Sequence, residues 1–551
     1  ADDYWNDPVS PLFFELLGDH LTKIVNVELN KIMGYSELVS ARTEKLLRLH
    51  KAHAYFNLEV LKRKVENEIP GFLRNEDVLN YFPEGGGPYG KETIKKLPFR
   101  LRKRLWAEIR VTLLDHSGTS GRTAKAYDEW TQRVFAPFWE RFDSRLAGLK
   151  NGQLSGYVAL ADELDEIMVG HFRLVRYGIP VHNIGMNLLV QYLLGRFLGK
   201  EDVAKAYPVL VSGLKHKTGE TNERIGRMAK LIHTSTELRA LVLEKPSQEL
   251  WDTLSSSRSR DAQEFVKEFK AFLGDFGARG FTREAYFPRW EEAPEYVFDI
   301  LKSLAAGEIL DQEALQAHNL RLQEETVEST KRAIRSQSLG RLKWKLLSGI
   351  LENARRYIVF REDQRFNLDR WITMHRRICL AIGERLVEDE ALEKPSEIFF
   401  LAKAEIREAV FAKLAREERE RILALVKERK AEFLRYANVT PPKFLEGDRE
   451  FDDPPLAEAA SLKGIPASQG LLTAPVRVLG SVEDIWTVQA GEILVVPRTD
   501  PGWTPIFSKI GGLITETGGI LSHGAVVSRE FGIPAVTNIH DACRILKTGQ
   551  I

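Results

Sequence analysis

The densest chemistry in the chain lies near its end, in TETGGILSHGAVVSRE over residues 515–530. One imidazole, His523, stands between the glycine pair Gly518 and Gly519 and a third glycine, Gly524. Histidine is a competent nucleophile near neutral pH and forms covalent intermediates. The apolar run before the glycines reads as a strand and SHGAVVSRE as a helix, which puts His523 at or near a helix N-terminus. Backbone N–H groups and the positive end of the helix dipole favour an anion there. A phosphoryl group on the imidazole would be held by those amides, and the hydroxyls of Thr517 and Ser522 could donate to it. Gly519 and Gly524 keep bulk away from the ring and leave room for another domain to approach it. Ser522 is outside any G-x-S-x-G elbow, which weakens a serine-hydrolase reading. A lone histidine carries little motif information, and on local chemistry alone a polar helix-start residue is the commoner meaning.

The elements that must position His523 read as a small α/β domain. PVRVLG (475–480), EILVVP (492–497), GGLITE (511–516) and IPAVTN (533–538) are short β-rich runs separated by turn signals. A helix is expected over Ala525 to Phe531. Before this region, NVTPPKFLEGDREFDDPPLAE (438–458) carries two proline pairs, many charges and little periodicity. It is the best linker candidate. Upstream, from about residue 8 to 438, the chain reads as helix after helix, as at 403–437, where Ile406, Val410, Leu414, Ile422, Leu425 and Phe433 share one face. Strand-like alternation is scarce there. The predicted organisation is a multidomain protein: a large all-α domain at 1–437, a flexible Pro-rich linker at 438–460 and a small α/β domain at 461–551.

Bulk composition narrows the function classes. With 551 residues, two or more domains are expected. Lys plus Arg total 79 against 78 acidic residues, which leaves no global field for nucleic acid or anionic membrane. The basic run KKLPFRLRKR (95–104) reads as a solvated helical face, with a docking surface for a partner as the alternative. The two cysteines, Cys379 and Cys543, are too few for a disulfide framework or a cysteine metal site and suggest a reducing, cytoplasmic setting. No apolar run is long enough for a transmembrane helix and no signal peptide is evident. No metal site is expected. Trp290, Phe399 and Phe400 could line an acceptor pocket, but at helical spacing they read as core.

The ordered segments LKGIPASQGLLTAPVRVL and VVPRTDPGWTPIFSKIGGLITETGGILSHGAVVSREFGIPAV resemble the phosphohistidine swivelling domain of the phosphoenolpyruvate (PEP)-utilising enzymes. That group includes phosphoenolpyruvate synthase, pyruvate phosphate dikinase, rifampicin phosphotransferase and phenylphosphate synthase. The resemblance makes His523 the phosphorylated residue, Thr517, Gly518, Gly519, Ser522, Gly524 and Arg529 its loop and helix, and the linker a hinge. Leu521 stands where the dikinases carry a threonine, so their threonine-based regulation is not expected. GGILSHGAVVSREFGIPAV looks most like the rifampicin phosphotransferase and phenylphosphate synthase branch. FGARGFTREAYFPRWEE (276–292) and the stretch 355–401 resemble the acceptor-binding helical domain of that branch, and NDPVSPLFFELLG (6–18) its opening. Ala278 replaces a histidine that many relatives have before the arginine.

The implied reaction is a phosphoryl relay. ATP with Mg²⁺ would phosphorylate His523 on an ATP-grasp-type nucleotide-binding subunit or a missing N-terminal domain. The phosphohistidine would then give its phosphoryl group to a hydroxyl of a small organic acceptor, aromatic or phenolic, with AMP and orthophosphate as the other products. Separating the half-reactions keeps water from the intermediate. Arg361 and Arg365, four apart on one helical face, and Arg279 are the candidates to neutralise charge on the transferring phosphoryl oxygens. Glu362 is the candidate base. The resemblance also places the final LKTGQI inside that domain's last strands. Two alternatives stay open: a fragment of a phosphoenolpyruvate synthase acting on pyruvate, and a non-enzymatic phosphocarrier or regulatory helical protein.

Overall fold

Helices begin where the sequence supplies caps. Ser10 accepts the Phe13 N–H at 3.4 Å and Pro11 opens helix Pro11–His20; Asn57 accepts the Glu59 N–H to open Leu58–Glu68. The structure is a computed structural model. It describes residues 8–551 apart from 41–42, 150–151, 307–311, 413, 438, 440, 451–460, 481, 500, 520–521 and 540. Most described residues are helical, and a small α/β sheet region lies near the C-terminus. The chain divides into two compact units: 1–186 with 283–287 and 356–453, and 187–282 with 288–355 and 454–551.

The first unit is built mainly of helices around a core that includes Phe13, Phe172, Trp371, Phe399, Phe400 and Phe433. Phe399 and Phe400 are therefore core residues, as their spacing indicated. Two β-hairpins depart from the all-α expectation. Strands β1 (Leu47–His50) and β2 (His53–Phe56) pair antiparallel around Lys51 and Ala52, whose φ values are 47° and 56°. Such a turn normally advertises itself with Asn-Gly or Asp-Gly, and here it does not. Strands β3 (Leu445–Glu446) and β4 (Arg449–Glu450) form the second hairpin, inside the segment expected to be a linker. It is fastened to the first by Lys51 and His50 on Glu450, at 2.7 and 3.1 Å, and by Arg48 on Asp448. Tyr55 Oη also donates to Pro442 O at 2.9 Å. Residues 438, 440 and 451–460 of the expected linker lie outside the described residues.

In the second unit, helix Arg260–Phe276 buries Phe265, Phe269, Phe272 and Phe276, one helical face. Phe269 stacks on Phe298 at 4.5 Å, and Trp290 is buried against Phe272. The sheet consists of β5 (Ile465–Ser468), β6 (Val476–Val478), β7 (Ile493–Val496), β8 (Gly512–Thr515) and β9 (Ala535–Thr537). Its order is β5-β9-β8-β7-β6, parallel except for β5 against β9. Alternate residues of β7 feed opposite faces: Leu494 and Val496 join Trp503, Phe507, Ala525 and Val527, whereas Val495 joins Val476, Ile539 and Ala542. A parallel sheet covered on both faces needs this two-sided apolar pattern. Helix His523–Phe531 covers the first face. The body is tied to the unit's helices by His216 on Glu530 (2.5 Å), Lys509 on Ser303 Oγ (2.9 Å) and Gln469 on Lys205 O (2.6 Å).

Candidate phosphohistidine site

Strand β8 ends at Thr515, and the turn that follows is fixed on both sides. Glu516 N–H donates to Val496 O at 3.2 Å, and Thr517 donates to Pro497 O through its N–H (3.1 Å) and its hydroxyl (3.2 Å). Thr515 Oγ1 donates to Thr517 O at 2.8 Å, and Glu516 Oε1 accepts the Cys543 N–H at 2.8 Å. Gly518 adopts φ 106°, where a side chain would be strained and its Cβ would stand 2.9 Å from Ser522 Cβ. Gly519 O accepts the Ser522 N–H at 2.9 Å. The turn therefore needs glycine at 518 and delivers Ser522 to the N-cap. Ser522 Oγ accepts from the Ala525 N–H at 3.4 Å, and His523 is the first residue of the helix.

His523 thus stands where the amides of a helix N-terminus project beyond the carboxyl edge of a parallel sheet, a place that suits phosphate groups. His523 is only 3% exposed. The expectation that Gly524 opens space at the ring needs revision. Gly524 is buried, and a Cβ there would overlap Thr499 Oγ1 and lie 3.0 Å from Leu513 Cδ2. Its smallness lets the helix start close to the end of β7 and to β8. Thr499 was not picked out from sequence, because its relation to Gly524 arises only when the loop after β7 packs on the helix start. Arg529 lies in the last helical turn, where Nη1 donates to Ala467 O on β5 at 3.2 Å. Six residues separate it from His523, about 9 Å along a helix axis. Leu521 lies outside the described residues.

The candidate acceptor residues fall in different units. Arg361, Glu362 and Arg365 belong to the first, on helix Gly340–Glu388; Arg279 belongs to the second. Glu362 is buried, with Oε1 3.5 Å from Arg365 Nη1. Arg279 is buried with its guanidinium 6.0 Å from the Phe276 ring centroid, and its carbonyl accepts the Trp290 N–H at 2.7 Å. A groove of about 1060 Å³ in the first unit is walled by Phe14, Tyr55, Phe56, Tyr89 and Phe444 among others. None of the four candidates lines it.

Sequence reasoning also missed a buried polar cluster in the first unit, assembled from separate helices. Asp165 Oδ1 contacts His375 Nε2 at 2.8 Å and Oδ2 contacts Lys403 Nζ at 3.4 Å. Burial raises the Asp165 carboxyl, but His375 and Lys403 outweigh it and hold the group well below the usual carboxylate range. Burial pushes His171 down to about 3, with Nδ1 2.9 Å from Tyr127 Oη, and His182 down to about 4. Cys379 is pushed up to about 12 by burial and by Asp165. These groups hold a core in register; the sequence offered no local signal because each partner comes from a different segment.

Among the described residues, no cluster of three or more His, Cys, Asp or Glu side chains is arranged to hold a metal ion, and no helix is long and apolar enough to cross a membrane.

Comparison with known proteins supplies the context for this geometry. Residues 488–551 match the mobile domain of PEP-utilising enzymes, and residues 177–362 match the fourth domain of rifampicin phosphotransferase. The rifampicin phosphotransferase of Streptomyces sviceus is 28% identical over 377 residues, which cover 65% of this chain and 41% of that protein. That of Bacillus cereus is 27% identical over 392 residues, covering 68% and 42%. The prodigiosin synthesizing transferase PigC of Serratia marcescens is 28% identical over 368 residues, covering 65% and 40%. The chain thus spans about two-fifths of the length of these relatives. The mobile-domain match encloses His523, and the relatives that this chain resembles over two-fifths of their length include proteins named as phosphotransferases, so the chain carries a segment similar to the mobile domain of PEP-utilising enzymes.

Proposed function

We propose that this chain is the carrier and acceptor-binding part of a dikinase-type phosphotransferase. His523 takes a phosphoryl group derived from ATP, and the 461–551 body carries it to the helical domain. There a hydroxyl of a small organic acceptor, aromatic or phenolic, attacks phosphorus and the N–P bond breaks. The hydroxyl proton leaves to a base, for which Glu362 is the candidate, and Arg361, Arg365 and Arg279 are the candidates to neutralise the equatorial oxygens. ATP and Mg²⁺ belong in this reading to an ATP-grasp-type partner domain or subunit. Overall, ATP, acceptor and water give AMP, orthophosphate and phosphorylated acceptor.

The observation that carries the reading is the placement of His523: first residue of a helix, at the carboxyl edge of a parallel sheet, inside the mobile-domain match. The helix amides would hold the phosphoryl oxygens, and the hydroxyls of Thr517 and Ser522 stand in the same turn and cap. A histidine that is 3% exposed must emerge to meet a nucleotide, which fits a body that changes position during the cycle.

The test is incubation with a nucleotide-binding partner and ATP labelled in its phosphates. Label should appear in acid-labile, base-stable form on this chain, be lost in His523→Ala, and chase to a phenolic or macrocyclic hydroxyl compound. Undiminished labelling of His523→Ala would overturn the site. Transfer only to pyruvate, or only to a protein, would overturn the acceptor class.

A further inference from the structure

Helix Leu101–Leu114 turns Arg104 and Arg110 toward the protein and a row of apolar residues outward, while Lys95, Lys96 and Arg102 of KKLPFRLRKR stay exposed, so the run is only in part the solvated basic face it suggested. Arg100, just before the helix, pairs with Glu37 and Glu66 at 3.2 and 2.7 Å. Lys103 pairs with Glu37 at 2.8 Å, and Arg104 with Glu108. Arg110 donates to the carbonyls of Ile32 and Lys31 at 2.7 and 3.1 Å. The buried residues of the helix are Ala107 and Val111. On the other side, Leu101 and Leu105 are each 56% exposed, Ile109 48% and Leu113 77%, with Trp106 at 56% beside them. Residues four apart drift by only ~40° around a helix, so the four aliphatic side chains form one stripe ~18 Å long. A contiguous exposed stripe of this kind marks an interaction surface.

We propose that this helix pairs antiparallel with the same helix of a second copy. The stripe is symmetric about Ala107. A two-fold axis there sets Leu101 against Leu113 and Leu105 against Ile109 in both directions at once, the self-complementarity that an isologous contact requires. Charge selects the antiparallel direction. The first turn holds basic Arg102, Lys103 and Arg104 and no acidic residue, against the sense of the helix dipole. In the antiparallel pair the exposed Arg102 lies near Thr112 of the other copy, beside the carbonyl-bearing C-terminal end; a parallel pair would bring two basic ends together. A polyanion fits poorly, because Glu37, Glu66 and Glu108 already take up much of the run's charge. One pair of four-turn helices buries less than the ~1,200 Å² of a standard interface, so the dimer should be weak and concentration-dependent. This inference does not depend on the phosphotransferase reading.

Sedimentation equilibrium of the intact chain from low to several hundred micromolar should show a reversible monomer–dimer equilibrium. Leu105→Asp and Ile109→Asp should each weaken it more than tenfold, with circular dichroism unchanged because both sites are exposed. Under mild oxidation, a mixture of Leu105→Cys and Ile109→Cys chains should form a disulfide faster than either variant alone. The proposal fails if the chain stays monomeric throughout, if the Asp variants dimerise like the parent, or if each Cys variant couples best with itself. It fails equally if the stripe is captured by a nucleotide-binding partner and the chain does not self-associate.

Discussion

Gly524→Ala tests how the His523 helix is seated. A methyl at this position would overlap Thr499 Oγ1 and press Leu513 Cδ2 at 3.0 Å, while Thr499 Cβ at 3.5 Å is an ordinary contact. Overpacking of a buried site costs ~1–3 kcal/mol. Alanine recovers ~0.5–1 kcal/mol through helix propensity and a less flexible unfolded chain. The net expectation is a loss of about 1–2 kcal/mol, confined to the α/β body. Thr499→Ala removes the overlapping oxygen and leaves only Leu513, the end of a flexible side chain, so the double variant should recover most of the loss. The coupling energy of the cycle should be about 1 kcal/mol or more. Hydrogen exchange of peptides covering 523–532 reads this locally, which suits a chain whose global unfolding need not be two-state. If Gly524→Ala leaves protection unchanged, or if Thr499→Ala fails to restore it, the close seating of this helix is refuted.

Other consequences are as direct. His171 and His182 are buried neutral with folded values of about 3 and about 4, below the ~6.5 of an unfolded histidine. The unfolded chain therefore binds protons first as pH falls, and stability drops from pH 6.5 toward 4. At pH 5 each histidine costs about 2 kcal/mol, so the first unit should melt at lower temperature at pH 5 than at pH 7.5, and His171→Gln should remove roughly half of the difference; a flat profile would contradict the burial. Glu530→Gln leaves His216 Nε2–H with a neutral acceptor at the end of the His523 helix, because Nδ1 already accepts the Gly219 N–H at 3.2 Å. A loss of ~1 kcal/mol in protection of helix 523–531 is expected, and none should appear in the first unit.

The sequence made the His523 turn readable because its requirements are local: a glycine at a positive φ, a hydroxyl cap and an apolar helix face. The strands themselves were likewise visible in ILVV and GLIT, whereas their burial on both faces emerged only from the structure. What stayed hidden depends on residues brought together from afar. Thr499 acquires its meaning from Gly524, and Asp165 from His375 and Lys403. The direction of helix Leu101–Leu114 depends on Glu37 and Glu66, which lie outside the helix and draw Arg100 and Lys103 inward. The β1–β2 hairpin escaped because Lys51 and Ala52 hold positive φ without a glycine. The helical stretch 403–437 was recognised, but its break into Lys403–Phe411 and Arg416–Tyr436 carries no Gly or Pro to announce it.

The hairpin at Leu445–Glu450 also sets a tether length. With Glu450 bound to Lys51 and His50, and Ile465 already in β5, only the chain between those two residues can separate the fastened hairpin from the sheet. About fifteen residues reach at most ~50 Å when fully extended. If the 461–551 body carries phosphate on His523 as proposed, its excursion is bounded by this tether together with the distance from β5 to His523, so a deletion series between 450 and 465 should find chain length, more than composition, limiting for transfer.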